Sequence, residues 1–366
     1  MALSKKALVG MSGGVDSAVT AWLLKQQGYD VHGVVLRLWE EDSDKDKIWT
    51  ERTCCHVPMV HYLCQKILAI PFEVHDVASN FQKKVVEPFR EGYLKGETPN
   101  PCTTCNAEIK ITHLLEISRS KGIPLVATGH YASWSYSRDY DFMGLKTAKD
   151  LQKDQSYFLA RTRDINPENL LLPLGHLTKP EVRDIALKAG FPVSGMLENQ
   201  EACFVSEKRV SDFMEKIENK NDSSGHWNAR SENGAFLGSL DKGIGLTRGQ
   251  RRGIGIASGE KLYVINVNPA KKEIILGPKE SLLQDSFRIR DQMGPLFSGK
   301  HPTNSSPLYV RFRSTMKPKK CRPADQTGNI FELEEQHDGI VSGQVAAFTD
   351  QDGILVGSGI IDNFSD

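Results

Sequence analysis

The chain has 366 residues, 39% apolar and 25% charged, and its 46 basic and 46 acidic side chains give a net charge of zero. This length suits two or three domains, and the balanced charge excludes a uniformly basic protein, although a local basic stripe could still bind nucleic acid. No run of about 18 apolar residues occurs, so we predict no membrane span. The N-terminus lacks a signal peptide's long apolar core, so we expect a cytoplasmic protein.

The first 130 residues alternate short β-rich runs with helical patterns. Residues 7–10 and 31–36 read as strands, and apolar side chains recur at helical spacing over 15–23. A second helical pattern at 109–121 precedes a strand-like run at 125–129. This order predicts βαβ units and a parallel sheet.

A further helix is predicted to begin at Thr178. Thr178 can cap the backbone, Pro180 suits the first turn, and Glu181 can reach back to the cap. Apolar residues follow at core spacing, and Gly190 ends the pattern. We therefore extend the α/β region to about residue 207.

The second half of the chain has a different pattern. Residues 219–234 are polar and predict a boundary or a long loop. Short strand-like runs follow, at residues 262–267, 273–276, 308–313, 343–348 and 353–357. They predict a small β-rich domain and then a β-barrel. We place the three domains at residues 1–207, 208–284 and 285–366.

A glycine-rich segment, Val9-Gly-Met-Ser-Gly-Gly-Val-Asp-Ser17, joins the first predicted strand to the first predicted helix. Glycines allow a tight turn and close approach to a ligand, and the free N–H groups of a helix start favour an anion. A lone glycine-rich turn is more often a plain β–α connection, and this one lacks the lysine of the Gly-x4-Gly-Lys-Ser/Thr loop.

The pattern Ser-Gly-Gly-x-Asp-Ser resembles the loop of the ATP pyrophosphatases, or PP-loop enzymes. The resemblance implies that the loop grips the β and γ phosphates of ATP as a leaving pyrophosphate, and that Asp16 positions the loop or a Mg²⁺ ion. Leu36 and Gly129 follow or end two predicted parallel strands, where open α/β sheets bind ligands, and the family uses those positions around adenosine. The expected ATP contacts are Gly10, Met11, Ser12, Gly13, Gly14, Val15, Asp16, Ser17, Leu36 and Gly129.

Seven cysteines, an odd number in a chain with no export signal, argue against a structural disulfide framework. The pair Cys102 and Cys105 has the spacing of half a zinc site or of a redox pair, but the second C-x2-C of a zinc ribbon is missing. Another group invites a metal interpretation, although buried packing is the more common fate of such cysteines; it comprises Cys54, Cys55, His56, His61 and Cys64.

Five separated motifs occur in one order along the chain. They are Pro-Asn-Pro-x-x-x-Cys-Asn at 99–106, Ala-Thr-Gly-His-Tyr at 127–131, Lys-Asp-Gln-Ser-Tyr-Phe at 153–158, Gln-Glu-Ala-Cys-Phe at 200–204 and Gly-Gln-Arg-Arg-Gly at 249–253. This order is similar to that of the bacterial tRNA-specific 2-thiouridylases, the MnmA family, over nearly the whole length.

The resemblance implies ATP-dependent 2-thiolation of the wobble uridine of tRNAs for Lys, Glu and Gln, through adenylation of O2. Cys203 would carry a persulfide from a cysteine desulfurase or a sulfur-relay protein. Cys105 would release that sulfur as the nucleophile, with a transient disulfide to Cys203. Both thiols need an electropositive setting, to which His130 or Lys110 could contribute. Some relatives have Asp where this chain has Cys102. Because Cys102 adds a third thiolate to Cys105 and Cys203, the three could instead hold a [4Fe-4S] cluster, and this alternative stays open.

The family's tRNA contacts map onto residue types that this chain keeps. Three basic patches, at 248–252, 311–313 and 317–322, could also meet the anticodon arm, although short charge runs are usually solvated faces. Lys242 stands where relatives often have histidine, and residues 247–248 also differ. The expected contacts are Asn100, Pro101 and Cys102 beside the target base, with His130, Lys153, Asp154, Gln155, Arg311, Phe312 and Gln344 elsewhere on the tRNA.

Other readings are a 4-thiouridine synthase, an amidotransferase-type synthetase of the PP-loop class, and a non-catalytic tRNA-binding protein. An amide-forming enzyme would not need Cys105 and Cys203, and a 4-thiouridine enzyme would carry a different RNA-binding domain. Asp16 and the two cysteines argue against a non-catalytic role.

Overall fold

A computed structural model describes residues 5–38, 56–196, 203–205, 210–217, 226–257, 259–298, 306–325 and 327–362. The N-terminal part contains a five-stranded sheet in the order β3-β2-β1-β4-β7, and every neighbouring pair is parallel. The parallel α/β fold predicted from the sequence is therefore confirmed. The strands are β1 Lys6–Gly10, β2 Asp30–Arg37, β3 Phe72–Asp76, β4 Leu125–Ala127, β5 Ala132–Ser137, β6 Phe142–Thr147 and β7 Leu170–Leu171.

Helices cover both faces of this sheet, as the apolar composition of its strands requires. One core contains Leu8, Val34 and Val126, and the other contains Val9, Val35 and Ala127. The α-helices are Val15–Gln26, Val57–Tyr62, Ala78–Phe81, Glu87–Leu94, Pro101–Cys105, Thr112–Lys121, Lys179–Lys188 and Val210–Ile217, and π-helical segments are Leu63–Leu68, Gln82–Val86 and Asn106–Ile111. None of the helices in the described ranges has the length and apolar character needed to cross a membrane.

The predicted helix start at Thr178 is confirmed as a capping box. The Thr178 hydroxyl accepts the Glu181 N–H, and the Glu181 carboxylate accepts the Thr178 N–H. Gly190 follows the helix with a φ of 78°, a left-handed conformation that favours glycine. This cap fixes the first residue of the helix, Lys179, beside the N-terminal sheet.

The charge of Glu181 makes this cap sensitive to acid. Hydrogen bonds from Lys149 and from the Thr178 backbone and hydroxyl lower the pKa of Glu181 from 4.5 to about 2. Since the pKa of Glu181 is lowered in the folded state, the ionised Glu181 carboxylate stabilises the fold fully above about pH 4.5. This stabilisation is lost as the pH falls towards 2. We expect the stability difference between wild type and Glu181→Gln, from urea unfolding midpoints, to shrink between pH 5 and pH 2.5. A pH-independent difference would contradict the prediction.

The central region forms a four-stranded sheet in the order β10-β11-β8-β9. Its strands are β8 Trp227–Ser231, β9 Phe236–Leu240, β10 Tyr263–Asn268 and β11 Glu273–Gly277. The prediction of a polar loop over 219–234 was wrong for Trp227–Ser231. This segment is a central strand because Trp227 and Ala229 alternate into the core and its edges pair with β9 and β11.

The C-terminal part is a closed six-stranded barrel in the order β12-β15-β14-β13-β16-β17, which confirms the predicted barrel. Its interior is packed with aromatic rings, including Phe287, Phe312, Phe331 and Phe348. The strands are β12 Gln284–Met293, β13 Leu308–Arg311, β14 Lys319–Pro323, β15 Ile330–His337, β16 Val345–Thr349 and β17 Leu355–Asp362.

Buried polar contacts join the barrel to the α/β domain. The Tyr157 hydroxyl contacts the carbonyl oxygens of Phe312 and Val345 at 2.9 and 3.0 Å. The Ser358 hydroxyl donates to the Ala160 carbonyl at 2.7 Å. Because these buried groups satisfy one another across the junction, the barrel is held in a defined position beside the sheet.

Candidate active site

A cavity of about 540 Å³ lies at the carboxyl ends of β1, β2 and β4. This volume falls within the roughly 300–1,000 Å³ of small-molecule sites, and the location is where open parallel sheets bind ligands. Except for Val15, the residues predicted to act on phosphate and sulfur line this one cavity. The predicted site residues that line the cavity are Gly10, Met11, Ser12, Gly13, Gly14, Asp16, Ser17, Leu36, Pro101, Cys102, Cys105, Gly129, His130, Lys153, Asp154, Gln155 and Cys203.

The glycine-rich loop is shaped by its own hydroxyl groups. The Ser12 and Ser17 oxygens lie 3.1 Å apart, and the Ser17 hydroxyl donates to the Gly14 carbonyl at 3.0 Å. Gly13 has a φ of 85°, which L-residues rarely adopt. The loop then enters the helix Val15–Gln26, and its residues Gly10–Gly14, Asp16 and Ser17 line the cavity, so the helix start lies where an anion could bind.

Gly129 is needed for close approach to this loop. A Cβ atom at Gly129 would lie 2.8 Å from the backbone carbon of Asp16 and 2.9 Å from the Ser17 nitrogen. Leu36 also lines the cavity, whereas Val15 is 3% exposed and packs in the core. Any ATP contact by Val15 would therefore come from its backbone.

Asp16 lies in a charged contact that was not predicted from the sequence. The Lys179 ammonium lies 2.7 and 2.9 Å from the two carboxylate oxygens of Asp16, and the Tyr131 hydroxyl donates to Oδ1 at 2.8 Å. Lys179 is 7% exposed and lies 5.8 Å from the centre of the Tyr131 ring. These contacts fix the Asp16 side chain at the start of the helix Val15–Gln26.

Three cysteines, Cys102, Cys105 and Cys203, lie at the same cavity, and none of the three is in a disulfide in the structure. Cys105 is 6% exposed, while Cys102 and Cys203 are half-buried. Cys64 and Cys321 differ, because burial raises the pKa of Cys64 to about 11 and raises that of Cys321 further. Both remain thiols at neutral pH, which suits packing and not nucleophilic chemistry.

His130 does not supply the positive charge that we predicted as one way to stabilise a thiolate. Burial, and then the charge of Lys110, lowers the pKa of His130 to about 3, so its imidazole is neutral at pH 7. The ring bridges Thr128 at 2.9 Å and Asn106 at 3.2 Å. Lys110 lines the same cavity. Of the two side chains predicted to provide positive charge for the thiols, Lys110 is therefore the one that can do so.

Within the ranges that the structure describes, no group of three or more His, Cys, Asp and Glu side chains is arranged to hold a metal ion. Cys102, Cys105 and Cys203 nevertheless line one cavity, so the cluster remains the alternative to a persulfide relay. Cys54 and Cys55 lie outside the described residues. Of the residues near them, His56 caps the helix Val57–Tyr62 by accepting the Met59 N–H, and Cys64 is fully buried.

The positions predicted to contact tRNA divide into two sets. Lys153 lines the cavity. Asp154 also lines the cavity, but its carboxylate forms a buried ion pair with Arg311 at 2.8 Å, and the residue after Arg311, Phe312, is in the barrel core. Arg311 is 4% and Phe312 0% exposed, so these two side chains do not face tRNA in this conformation.

Asn100 and Gln344, both half-buried, contact each other. The Asn100 side chain caps the helix Pro101–Cys105 by accepting the Thr103 N–H, and its amide donates to Gln344 at 3.5 Å. The Gln344 amide also donates to the carbonyl of Thr98. These bonds fix the entry to the helix that carries Cys102 and Cys105.

The basic patches are less available than the sequence indicated. In the patch at 317–322, Lys319, Lys320 and Arg322 pair with Glu335, Glu334 and Glu332 across β14 and β15. Arg248 donates to backbone carbonyls, including that of Ile265 at 2.6 Å. Exposed cations remain at Arg251, Arg252, Arg313 and Lys317.

Sequence reasoning missed several residues that line the cavity. Lys179 was hidden inside a helix-start signature, and Tyr131 ends a motif whose histidine drew attention. Ser314 and Thr315 come from the barrel, in the segment after Arg313, and no local pattern marks them. The barrel thereby contributes two residues directly to the wall of this cavity.

Residues 5–207 match the family described as the tRNA methyl transferase HUP domain, and residues 288–361 match the aminomethyltransferase beta-barrel domain. With the parallel sheet and its loop, the first match defines a nucleotide-binding protein of the PP-loop class. The tRNA-specific 2-thiouridylase MnmA 1 of Caldanaerobacter subterraneus subsp. tengcongensis is 35% identical over 366 residues, 99% of each chain. The MnmA proteins of Clostridioides difficile (36% identity, 99% of each chain) and Rhodopseudomonas palustris (36%, 94% of this chain and 86% of the relative) are similar too. The chain belongs to the tRNA-specific 2-thiouridylase MnmA family.

Proposed function

We propose that this chain uses ATP to replace the O2 oxygen of the wobble uridine in tRNA with sulfur. The observation that carries the proposal is the single cavity lined by the phosphate loop, Cys105 and Cys203. A nucleotide-binding protein without sulfur chemistry would not need two thiols at that cavity. The names of the full-length relatives support the 2-thio product over a 4-thio product.

The first step activates the uridine. O2 of the base attacks the α-phosphorus of ATP, and pyrophosphate leaves towards the loop residues Ser12–Ser17. Backbone donors and hydroxyls of this loop stabilise the charge that develops on the leaving group. The Asp16 carboxylate offers the hard oxygen ligand that Mg²⁺ prefers, and a bound Mg²⁺ would neutralise phosphate charge.

The second step transfers sulfur. The terminal sulfur of a Cys203 persulfide attacks C2 and AMP leaves, and Cys105 thiolate then attacks the Cys203 sulfur. The product is 2-thiouridine with a Cys105–Cys203 disulfide, which a dithiol reductant must reduce before the next turnover. A cysteine desulfurase or a sulfur-relay protein would supply the persulfide. The alternative is the same thiolation through a cluster held by Cys102, Cys105 and Cys203, and no step is derived through that group.

The remaining domains would hold the tRNA. We place the catalytic domain at 1–207, the central tRNA-binding domain at 208–284 and the barrel at 285–366, with the anticodon arm gripped by shape and backbone contacts. An unpaired loop base leaves its stack at a cost of about a few kcal/mol, so it can reach the cavity. Since tRNA is a cytoplasmic substrate, we place the reaction in the cytoplasm.

Nucleoside analysis of tRNA from cells that lack the protein tests this function. We expect 2-thiouridine derivatives to disappear, and to return with the wild-type chain but not with the Asp16→Ala or Cys203→Ala variants. Unchanged 2-thiouridine with loss of 4-thiouridine would instead support a 4-thiouridine synthase. Full complementation by both variants would overturn the assignment of these residues.

A further inference from the structure

The phosphate loop has no positive charge of its own. Between Val9 and Ser17 the one ionisable side chain is the carboxylate of Asp16. A leaving pyrophosphate carries several negative charges. With only N–H groups and hydroxyls around it, the site would have a negative net charge. Cations must come from elsewhere in the fold, and the lysines that line the cavity are Lys110, Lys153 and Lys179.

Lys179 reaches the loop itself. Its ammonium lies within 2.9 Å of both oxygens of Asp16, whose neighbour in sequence, Ser17, belongs to the part of the loop that lines the cavity. The backbone of Lys179 is fixed because its N–H donates to Asp150 at 2.9 Å and because the Thr178 capping box precedes it. A fixed backbone with a long flexible side chain lets the ammonium change partner without moving the helix.

We propose that Lys179 is a phosphate-binding residue that moves from Asp16 to the β- and γ-phosphate oxygens when ATP and Mg²⁺ bind. This inference rests on the proposed function, since it assigns a role within the same ATP site. In the nucleotide-free protein Lys179 neutralises Asp16, and no partly buried carboxylate is left unpaired. When nucleotide binds, Asp16 turns to Mg²⁺ while the Tyr131 hydroxyl still holds it. Each charge therefore has a partner in both states.

The test compares nucleotide affinities by calorimetry, in the presence of Mg²⁺, for the full-length wild type and for Lys179→Met and Lys179→Arg. We expect Lys179→Met to weaken ATP binding by about tenfold to a hundredfold, the value of a charge-assisted hydrogen bond, and AMP binding by less than about threefold. Lys179→Arg should recover part of the ATP affinity. Lys188→Met is the matched control, because Lys188 is exposed at the other end of the same helix and pairs with Asp184.

Two results would overturn the inference. One is wild-type ATP affinity in Lys179→Met, and the other is an equal loss for ATP and AMP, which would indicate a structural role. If Lys179→Met does not fold by circular dichroism, Lys179→Gln is measured with the same two ligands and the same criteria. A wild type that binds ATP through Lys179 but forms no 2-thiouridine would contradict the proposed function and leave the Lys179 assignment standing.

Discussion

Replacement of Cys203 or Cys105 by serine should reduce formation of 2-thiouridine by on the order of a thousandfold or more, as loss of a nucleophile does elsewhere. ATP binding should stay close to wild type, because neither thiol belongs to the loop that holds the phosphates. Single-turnover assays with purified tRNA, read out by mass spectrometry of nucleosides, measure the first effect. Calorimetry measures the second.

Cys102→Ser separates the two sulfur-transfer mechanisms. A persulfide relay between Cys203 and Cys105 does not need Cys102, so we expect this variant to keep activity within about tenfold of wild type. A three-cysteine cluster would need all three residues, and Cys102→Ser would then lose as much as the other two variants. Cys321→Val is the control, since Cys321 is a buried thiol of the barrel and its loss should not affect sulfur transfer.

The second large effect concerns the buried ion pair between the α/β domain and the barrel. Arg311→Met should lower the free energy of unfolding by about 3–5 kcal/mol, because it leaves the Asp154 carboxylate buried without its charge partner. Arg311 also donates to the Ser156 hydroxyl at 2.8 Å, and that hydroxyl donates to Asp154 at the same distance. Denaturant unfolding of the full chain measures the loss.

Arg313→Met is the matched control for that experiment. It removes the same charge two positions away, but Arg313 is exposed, so stability should change by less than about 0.5 kcal/mol. The double variant Arg311→Met, Asp154→Leu should be more stable than Arg311→Met alone, since no buried charge remains. If Arg311→Met keeps full stability and loses only tRNA affinity, then Arg311 contacts tRNA directly and the structural role is wrong.

Features fixed by neighbouring residues were predictable from the sequence. The loop that ends at Ser17 and the capping box at Thr178 are local patterns whose glycines, hydroxyls and carboxylates act within a few positions. The alternation of strands and helices likewise gave the parallel sheet. Cys105 and Cys203 were predicted from the resemblance to the MnmA family, and the cavity that they share depends on the fold.

Features that join distant residues were not predictable. Asp16 and Lys179 are 163 positions apart, and the sequence gives no sign that they pair. Arg311 was read as a surface cation because charge alone does not reveal that Asp154 receives it in a buried junction. The strand at Trp227–Ser231 was missed because its polar outward residues concealed the alternation of Trp227 and Ala229.

Reconstitution with purified components is the sharpest test of ATP-dependent 2-thiolation by this protein. The reaction contains this protein, ATP with Mg²⁺, a persulfide donor with a dithiol, and tRNA that carries an unmodified wobble uridine. We expect 2-thiouridine at that position, with one AMP and one pyrophosphate formed for each sulfur inserted. Sulfur at C4, or thiolation that proceeds without ATP, would contradict it.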